Sequence, residues 1–318
     1  MMNRESCPKA INNKRDVVKT KLQSSIFLVL YRVTFLRSFV KWLLRKLTGA
    51  CELQRIIRTY KFAERNEKIE QSLLLSKHEV LRDLINLDVE LEDVPMLVTK
   101  VMNLKNIVPE MDPPFEGALT TCLLQMKGYK ILFDRVEVLR KELYDCENES
   151  HEKLLLKLWE LLKPDEELDS RICKRWCELG FQGSDPKTDF RGMGLLGLQC
   201  MVHFAENHNE KARQILQHSL HPVQGYSFAI VSINLTSLMY EMLQSGQLRT
   251  HFYNKIQGPP TVEDFLHAFS CVFSQFDKFW FESEPENVMA FSRIRGNFAL
   301  QLGIHLSRPY YGSLEMQD

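Results

Sequence analysis

The chain has 318 residues, 44% of them hydrophobic and 26% charged, which is enough apolar material for a sizeable core and rules out a disordered tail or a disulfide mini-protein. Its 41 Lys and Arg balance 41 Asp and Glu, so it lacks the basic excess that marks a nucleic-acid-binding domain, and neither DNA nor RNA is expected as a partner. Its eight cysteines lie scattered through apolar stretches, as buried thiols of a reducing compartment do.

The zero net charge hides an asymmetry. Residues 1–47 carry eleven Lys and Arg against two acids, a net +9, so residues 48–318 carry −9. Within this arm, residues 22–47 are the most apolar, yet the run before Arg32 free of charge is only about ten residues, half of what a spanning helix needs. Arg32 and Arg37 also interrupt it in a way that a signal peptide does not tolerate. Wound as a helix, the segment gathers Arg37, Lys41 and Arg45 on one side, with Phe39, Trp42, Leu43 and Leu47 around the rest. Two readings stay open: an interfacial helix on anionic lipid, using Arg37, Lys41, Trp42, Arg45 and Lys46, or a helix docked on the body by its apolar face.

From about residue 64 onward apolar positions recur at three- and four-residue spacing, and no convincing period-2 alternation interrupts them. Prolines at 109, 113, 114, 222, 259, 260 and 285 fall between the periodic runs. An all-α fold of nine or ten helices is expected. Residues 151–162 form one helix, stopped by Lys163-Pro164. Asp169-Ser170 is expected to cap a helix running through Trp176, and Thr261 with Asp264 to cap one from Phe265 to Phe281. Tyr226 to Leu243, apolar but carrying Asn234, Thr236 and serines, reads as the central core helix rather than a membrane span.

Metal and nucleotide motifs are weak. Cys173 and Cys177 stack on one helix face without a second ligand pair, and His203, Glu206 and His208, or His218 and His221, read as capping or surface residues before they read as ligands. Gly192-x-Gly194-x-x-Gly197 matches the dinucleotide fingerprint in letters, but a turn precedes it instead of a strand, so the glycines more plainly let a helix approach its neighbour. Ser227 in Gly225-Tyr-Ser-Phe-Ala229 lacks the buried strand of a nucleophile elbow and opens an apolar helix.

Arg191 stands apart. If Thr188 or Asp189 caps the helix that follows, Arg191 falls in its first turn, where the dipole disfavours a cation by roughly 0.3–1 kcal/mol. It then needs either a local pair with Asp185 or Asp189, or an anionic target such as a phosphoryl group.

At these residues the chain resembles the ELMO domain-containing proteins. Their signature is Trp-x3-Gly-Phe-Gln-x3-Pro-x-Thr-Asp-Phe-Arg-Gly-x-Gly-x3-Leu-x2-Leu-x-Tyr-Phe. It is met here by Trp176, Gly180, Phe181, Gln182, Pro186, Thr188, Asp189, Phe190, Arg191, Gly192, Gly194, Leu198 and Phe204, with departures at Met201 and His203. Segments 41–56, 151–164, 225–243 and 276–291 also look like the short members of that family, so the resemblance covers roughly 40–300. The expected divisions are a basic flexible extension over 1–21 and a tail over 303–318, both unlike the family, the amphipathic helix over 22–47 and a helical lead-in over 48–125; the resemblance implies an all-helical ELMO domain over 126–302. It further implies GTPase-activating activity toward GTP-bound small GTPases of the ADP-ribosylation factor and ARF-like (Arf/Arl) group. Arg191 would be the finger, and the other signature residues from Trp176 to Gly194 the partner-binding set. GTP and Mg²⁺ would belong to the partner, leaving this chain no cofactor or metal of its own, in a cytoplasmic protein with peripheral membrane association. The other expectation is a scaffold that binds such GTPases or their exchange factors without catalysis.

Overall fold

A computed structural model describes residues 34–86 and 90–316, the side chains of 34–37 and 85–86 excepted. The expected extension over 1–21, residues 22–33 of the arm and the last two residues of the tail lie outside the described residues. The chain divides into two units, Met1–Thr59 and Tyr60–Asp318.

The described part of the first unit is a pair of helices, α1 (Thr34–Thr48) and α2 (Glu52–Thr59). Gly49, at φ +67°, breaks the chain between them. Lys41 of α1 forms an ion pair with Glu52 at the start of α2, where the free N–H groups of the helix also favour a carboxylate.

The second unit contains α3 (Phe62–Leu74), α4 (Glu79–Asn86), α5 (Val94–Lys105), α6 (Pro113–Lys141), α7 (Glu149–Leu162), α8 (Gly194–Asn207), α9 (Asn209–Ser219), α10 (Phe228–Gln244), α11 (Arg249–Lys255), α12 (Val262–Glu282) and α13 (Phe291–Leu306). No strand occurs among the described residues, so the fold is all-α as expected. It holds more α-helices than nine or ten, because α2, α4 and α11 are too short to leave a periodic signature. None of the described helices is long and apolar enough to cross a membrane.

The centre of this unit is α8, with eleven of its fourteen residues buried and α6, α7, α9, α10 and α12 packed around it. This corrects the expectation for Tyr226 to Leu243. The helix there, α10, leaves Asn234, Ser237, Tyr240 and Glu241 accessible along one side. Both segments are apolar enough for the centre, and enclosure on every side distinguishes them. Two polar groups of α10 are satisfied locally, as expected: Asn234 Nδ2 donates to Ile230 O at 2.8 Å and Thr236 Oγ1 to Ser232 O at 3.0 Å, whereas the buried Ser232 hydroxyl has no partner among the described residues.

Thr261 and Asp264 form a reciprocal capping box at the start of α12. That helix supplies an aromatic row, with Phe273 at 5.4 Å from Phe204 and 5.0 Å from Phe228, between ring centroids. Its buried Asp277 accepts from Tyr226 Oη at 2.6 Å and pairs with His218 Nδ1 at 2.7 Å. His203 likewise contacts Ser270 Oγ at 3.2 Å and Glu263 Oε1 at 3.0 Å. Among the described residues no three His, Cys, Asp or Glu side chains gather as a metal site.

Beyond α13 the chain turns back, and buried Leu314 donates its N–H to Nδ1 of His251 at 3.0 Å. Burial, with the nearby Lys255 cation, pushes the His251 imidazolium pKa down to about 4 from the ordinary 6.5. The unfolded chain therefore takes up this proton first. The contribution is complete above about pH 6.5 and is lost as pH falls toward 4, by on the order of 3 kcal/mol. Denaturant melts at pH 7 and pH 5 are expected to show a stability difference about 2 kcal/mol smaller in His251→Gln than in the unmodified chain.

Candidate functional site

The glycine-rich run between α7 and α8 forms two 3₁₀ helices, Lys174–Leu179 and Pro186–Gly192. The expected α-helix capped by Asp169-Ser170 is absent: Ser170 Oγ donates to Ile172 O, Cys173 stands at the N-cap, and Gly180 in the left-handed region ends the turn after six residues. A Cβ at Gly180 would meet Phe228 N at 2.5 Å, so this glycine permits close approach of the loop to α10.

Beneath the loop runs a chain of ring contacts at 5.5–5.8 Å between centroids: Trp159 to Trp176, Trp176 to Phe181, Phe181 to Phe190, and Phe190 to Tyr144. Both indole N–H groups are satisfied by main-chain carbonyls, Trp159 by Glu166 and Trp176 by Arg171. These aromatics form the support of the loop. Trp176, Phe181, Pro186, Phe190 and Gly194, all expected in the partner-binding set, are buried beneath the surface of the loop. Gly180 and Asp189 are half-buried, whereas Gln182, Thr188, Arg191 and Gly192 are exposed. Asp189 Oδ2 accepts Gln182 N–H at 2.9 Å and so closes the loop on itself. Burial raises the pKa of its carboxyl above the ordinary value, against the opposing pull of that N–H and of Arg191.

The second 3₁₀ helix is started by Asp185, whose Oδ1 accepts Lys187 N–H at 3.0 Å, with Pro186 in the first position. It ends at Gly192, and α8 begins only at Gly194. Arg191 therefore lies in the last turn of the 3₁₀ helix and not in the first turn of α8. Its charge faces the carbonyl end of that helix, the favourable sign. Arg191 Nε donates to Thr188 O at 2.8 Å. The local pair with Asp185 or Asp189 is not formed: no carboxylate lies within 4 Å of Arg191 among the described residues, since Asp185 is held by Arg171 at 2.9 Å and Asp189 by Gln182. An exposed guanidinium is thus presented from a rigid turn.

The three glycines of the fingerprint-like run behave differently. Gly194, at φ +53°, has Arg140 O and Glu142 O 2.4 Å from where a Cβ would stand, and Leu195 N–H donates to Glu142 O at 2.8 Å. The N-terminus of α8 is therefore sealed by the carbonyl end of α6. A Cβ at Gly197 would stand 3.6 Å from Ile233 Cγ1, an ordinary contact, while one at Gly192 would meet nothing within 4 Å. Ser227 occupies the N-cap of α10 without a capping bond from its side chain.

Of the residues expected on a membrane, Trp42, Arg45 and Lys46 are exposed, Lys41 is paired with Glu52, and the Arg37 side chain lies outside those described. Sequence reasoning missed Tyr144, Glu152 and Arg171, which tie the loop to α7. Nothing in the spacing of Arg171 and Asp185, fourteen residues apart, marks them as a pair.

Residues 134–295 match the profile of the ELMO/CED-12 family. Over 265 residues the chain is 51% identical to human ELMO domain-containing protein 2, covering 83% of this chain and 89% of that protein. It is 45% identical to bovine (Bos taurus) ELMO domain-containing protein 1 over 293 residues, covering 86% and 89%. It is 32% identical to ELMO domain-containing protein B of Dictyostelium discoideum over 271 residues, covering 84% and 94%.

Proposed function

This chain belongs to the ELMO/CED-12 family, and from that premise we propose that it activates GTP hydrolysis on Arf/Arl-type small GTPases by inserting Arg191 into the partner's nucleotide site. The observation that carries the reading is Arg191 itself: exposed, free of any carboxylate within 4 Å among the described residues, and set at the end of a 3₁₀ helix that a buried aromatic row supports. Phosphoryl transfer asks little covalent chemistry of a protein. It asks for neutralisation of charge on the transferring group, and an always-charged planar guanidinium supplies this with two parallel donors. Nucleotide and Mg²⁺ belong to the GTPase in this scheme.

The test is single-turnover hydrolysis on a panel of GTP-loaded Arf- and ARF-like GTPases with and without the purified chain. An activator speeds at least one of them; a scaffold binds them and speeds none, which would overturn the reading.

We further propose that α1 meets anionic membrane through Trp42, Arg45 and Lys46, which brings the chain to membrane-bound GTPases. Vesicles containing phosphatidylserine are expected to bind the full chain and to release it at high salt. Replacing Arg45 and Lys46 by Gln weakens that binding about tenfold or more, at about 1 kcal/mol per cation. Unchanged vesicle binding after deletion of residues 1–47 would refute the proposal.

A further inference from the structure

We infer that Arg171 is a positioning residue for Arg191, acting through Asp185; this rests on the GTPase-activating reading above. Its guanidinium forms a bracket between α7 and the loop. Nε donates to both carboxylate oxygens of Glu152, each at 3.0 Å, and Nη1 contacts Asp185 Oδ1 at 2.9 Å. The bracket is fixed from several sides. Tyr144 Oη donates to Glu152, the Arg171 guanidinium lies 6.0 Å from the centroid of the Tyr144 ring, and Arg171 O accepts the Trp176 indole N–H at 2.8 Å. Tyr144 in turn touches Phe190, the residue before Arg191.

The lever follows from the geometry of the loop. Asp185 Oδ1 holds both Arg171 Nη1 and Lys187 N–H, so it sets where the 3₁₀ helix begins. That helix repeats every three residues, so Thr188 and Arg191 lie one above the other, as the bond from Arg191 Nε to Thr188 O shows. Displacement at Asp185 is therefore carried along a stiff turn to the guanidinium at its far end. The Asp189 tie to Gln182 lies within the loop and gives no external reference. Two further ties reach outside the loop: exposed Lys187 donates Nζ to Cys146 Sγ at 3.4 Å through a flexible stem, and just beyond the helix Leu195 N–H donates to Glu142 O. Lysine cannot replace Arg171 here, because a single ammonium on a flexible stem does not reproduce the planar fork that reaches Glu152 and Asp185 at once.

The experiment uses the full chain and a GTP-loaded Arf-type GTPase that the unmodified chain stimulates, with single-turnover rates measured over a range of activator concentrations. For Arg171→Lys the maximal rate falls about 10- to 100-fold, as expected when a reacting group is misplaced by about 1 Å, while the half-saturating concentration changes less than about threefold. Asp185→Asn keeps an acceptor for Lys187 N–H but removes the ion pair, and it shows the same split. The double variant is no slower than the slower single one, since the two residues act as a unit. Rates are normalised to the folded fraction, measured by melting at the assay temperature. Two results overturn the inference: maximal rates unchanged in both single variants, or losses that are additive or vanish on that normalisation. Stimulation that survives in Arg191→Lys removes both readings, whereas an inactive Arg191→Lys beside fully active Arg171→Lys and Asp185→Asn removes this inference alone.

Discussion

Replacing Arg191 by lysine is expected to abolish stimulation of GTP hydrolysis, a loss of about 10³- to 10⁵-fold in single-turnover rate, with the fold intact. The loss is large because the group in question acts only on the transition state. A lysine keeps the charge but gives up the paired donors and planar shape that match phosphoryl oxygens. Folding is spared because the side chain is exposed and its bond to the protein is one donation to Thr188 O, worth about 1 kcal/mol at most. Melting curves of the two proteins should therefore nearly superimpose. An unaltered hydrolysis rate in the lysine variant would sink the finger assignment.

Alanine at Gly194 is the second large effect, and here the fold suffers. A methyl at this position meets two main-chain carbonyls at 2.4 Å, and the backbone sits in a region that residues with a Cβ rarely adopt. The carbonyls belong to the end of α6, which Leu195 N–H also uses, so neither side can withdraw without unsealing the N-terminus of α8, the most enclosed helix of its unit. A destabilisation of about 3 kcal/mol or more is expected, lowering the melting temperature by roughly 10 °C. Gly192→Ala is the control. It lies two residues away in an ordinary backbone conformation where an added Cβ would meet nothing within 4 Å, and stability should change by no more than about 0.5 kcal/mol. Equal melting temperatures for the two variants would show that the seal between α6 and α8 does not matter.

Local patterns disclosed much of this molecule. The helix over 151–162 with its proline stop and the capping box at Thr261 each appear where spacing puts them. These are interactions between residues three or four apart, and a sequence displays such neighbours directly. The site was visible as a cluster of glycines, aromatics and one arginine in an awkward place. Its inner logic was not. Asp185, the obvious partner for Arg191 by proximity in sequence, turned instead to Arg171, and Arg191 ended one short helix where it was expected to begin a long one.

By itself, then, the sequence determined the all-α class, the bounds of a few helices such as 151–162, and the family, and it singled out Arg191. Tertiary structure alone decided that α8 and not α10 is the centre, that the signature aromatics face inward, that Gly194 has no room for a side chain while Gly192 does, and that Arg191 keeps no carboxylate partner within 4 Å among the described residues. Helix formation depends on contacts within one turn, which composition and period encode. Enclosure, charge pairing and close backbone approach depend on segments brought together from far apart in the chain, and no local period records which of several chemically equal partners will arrive.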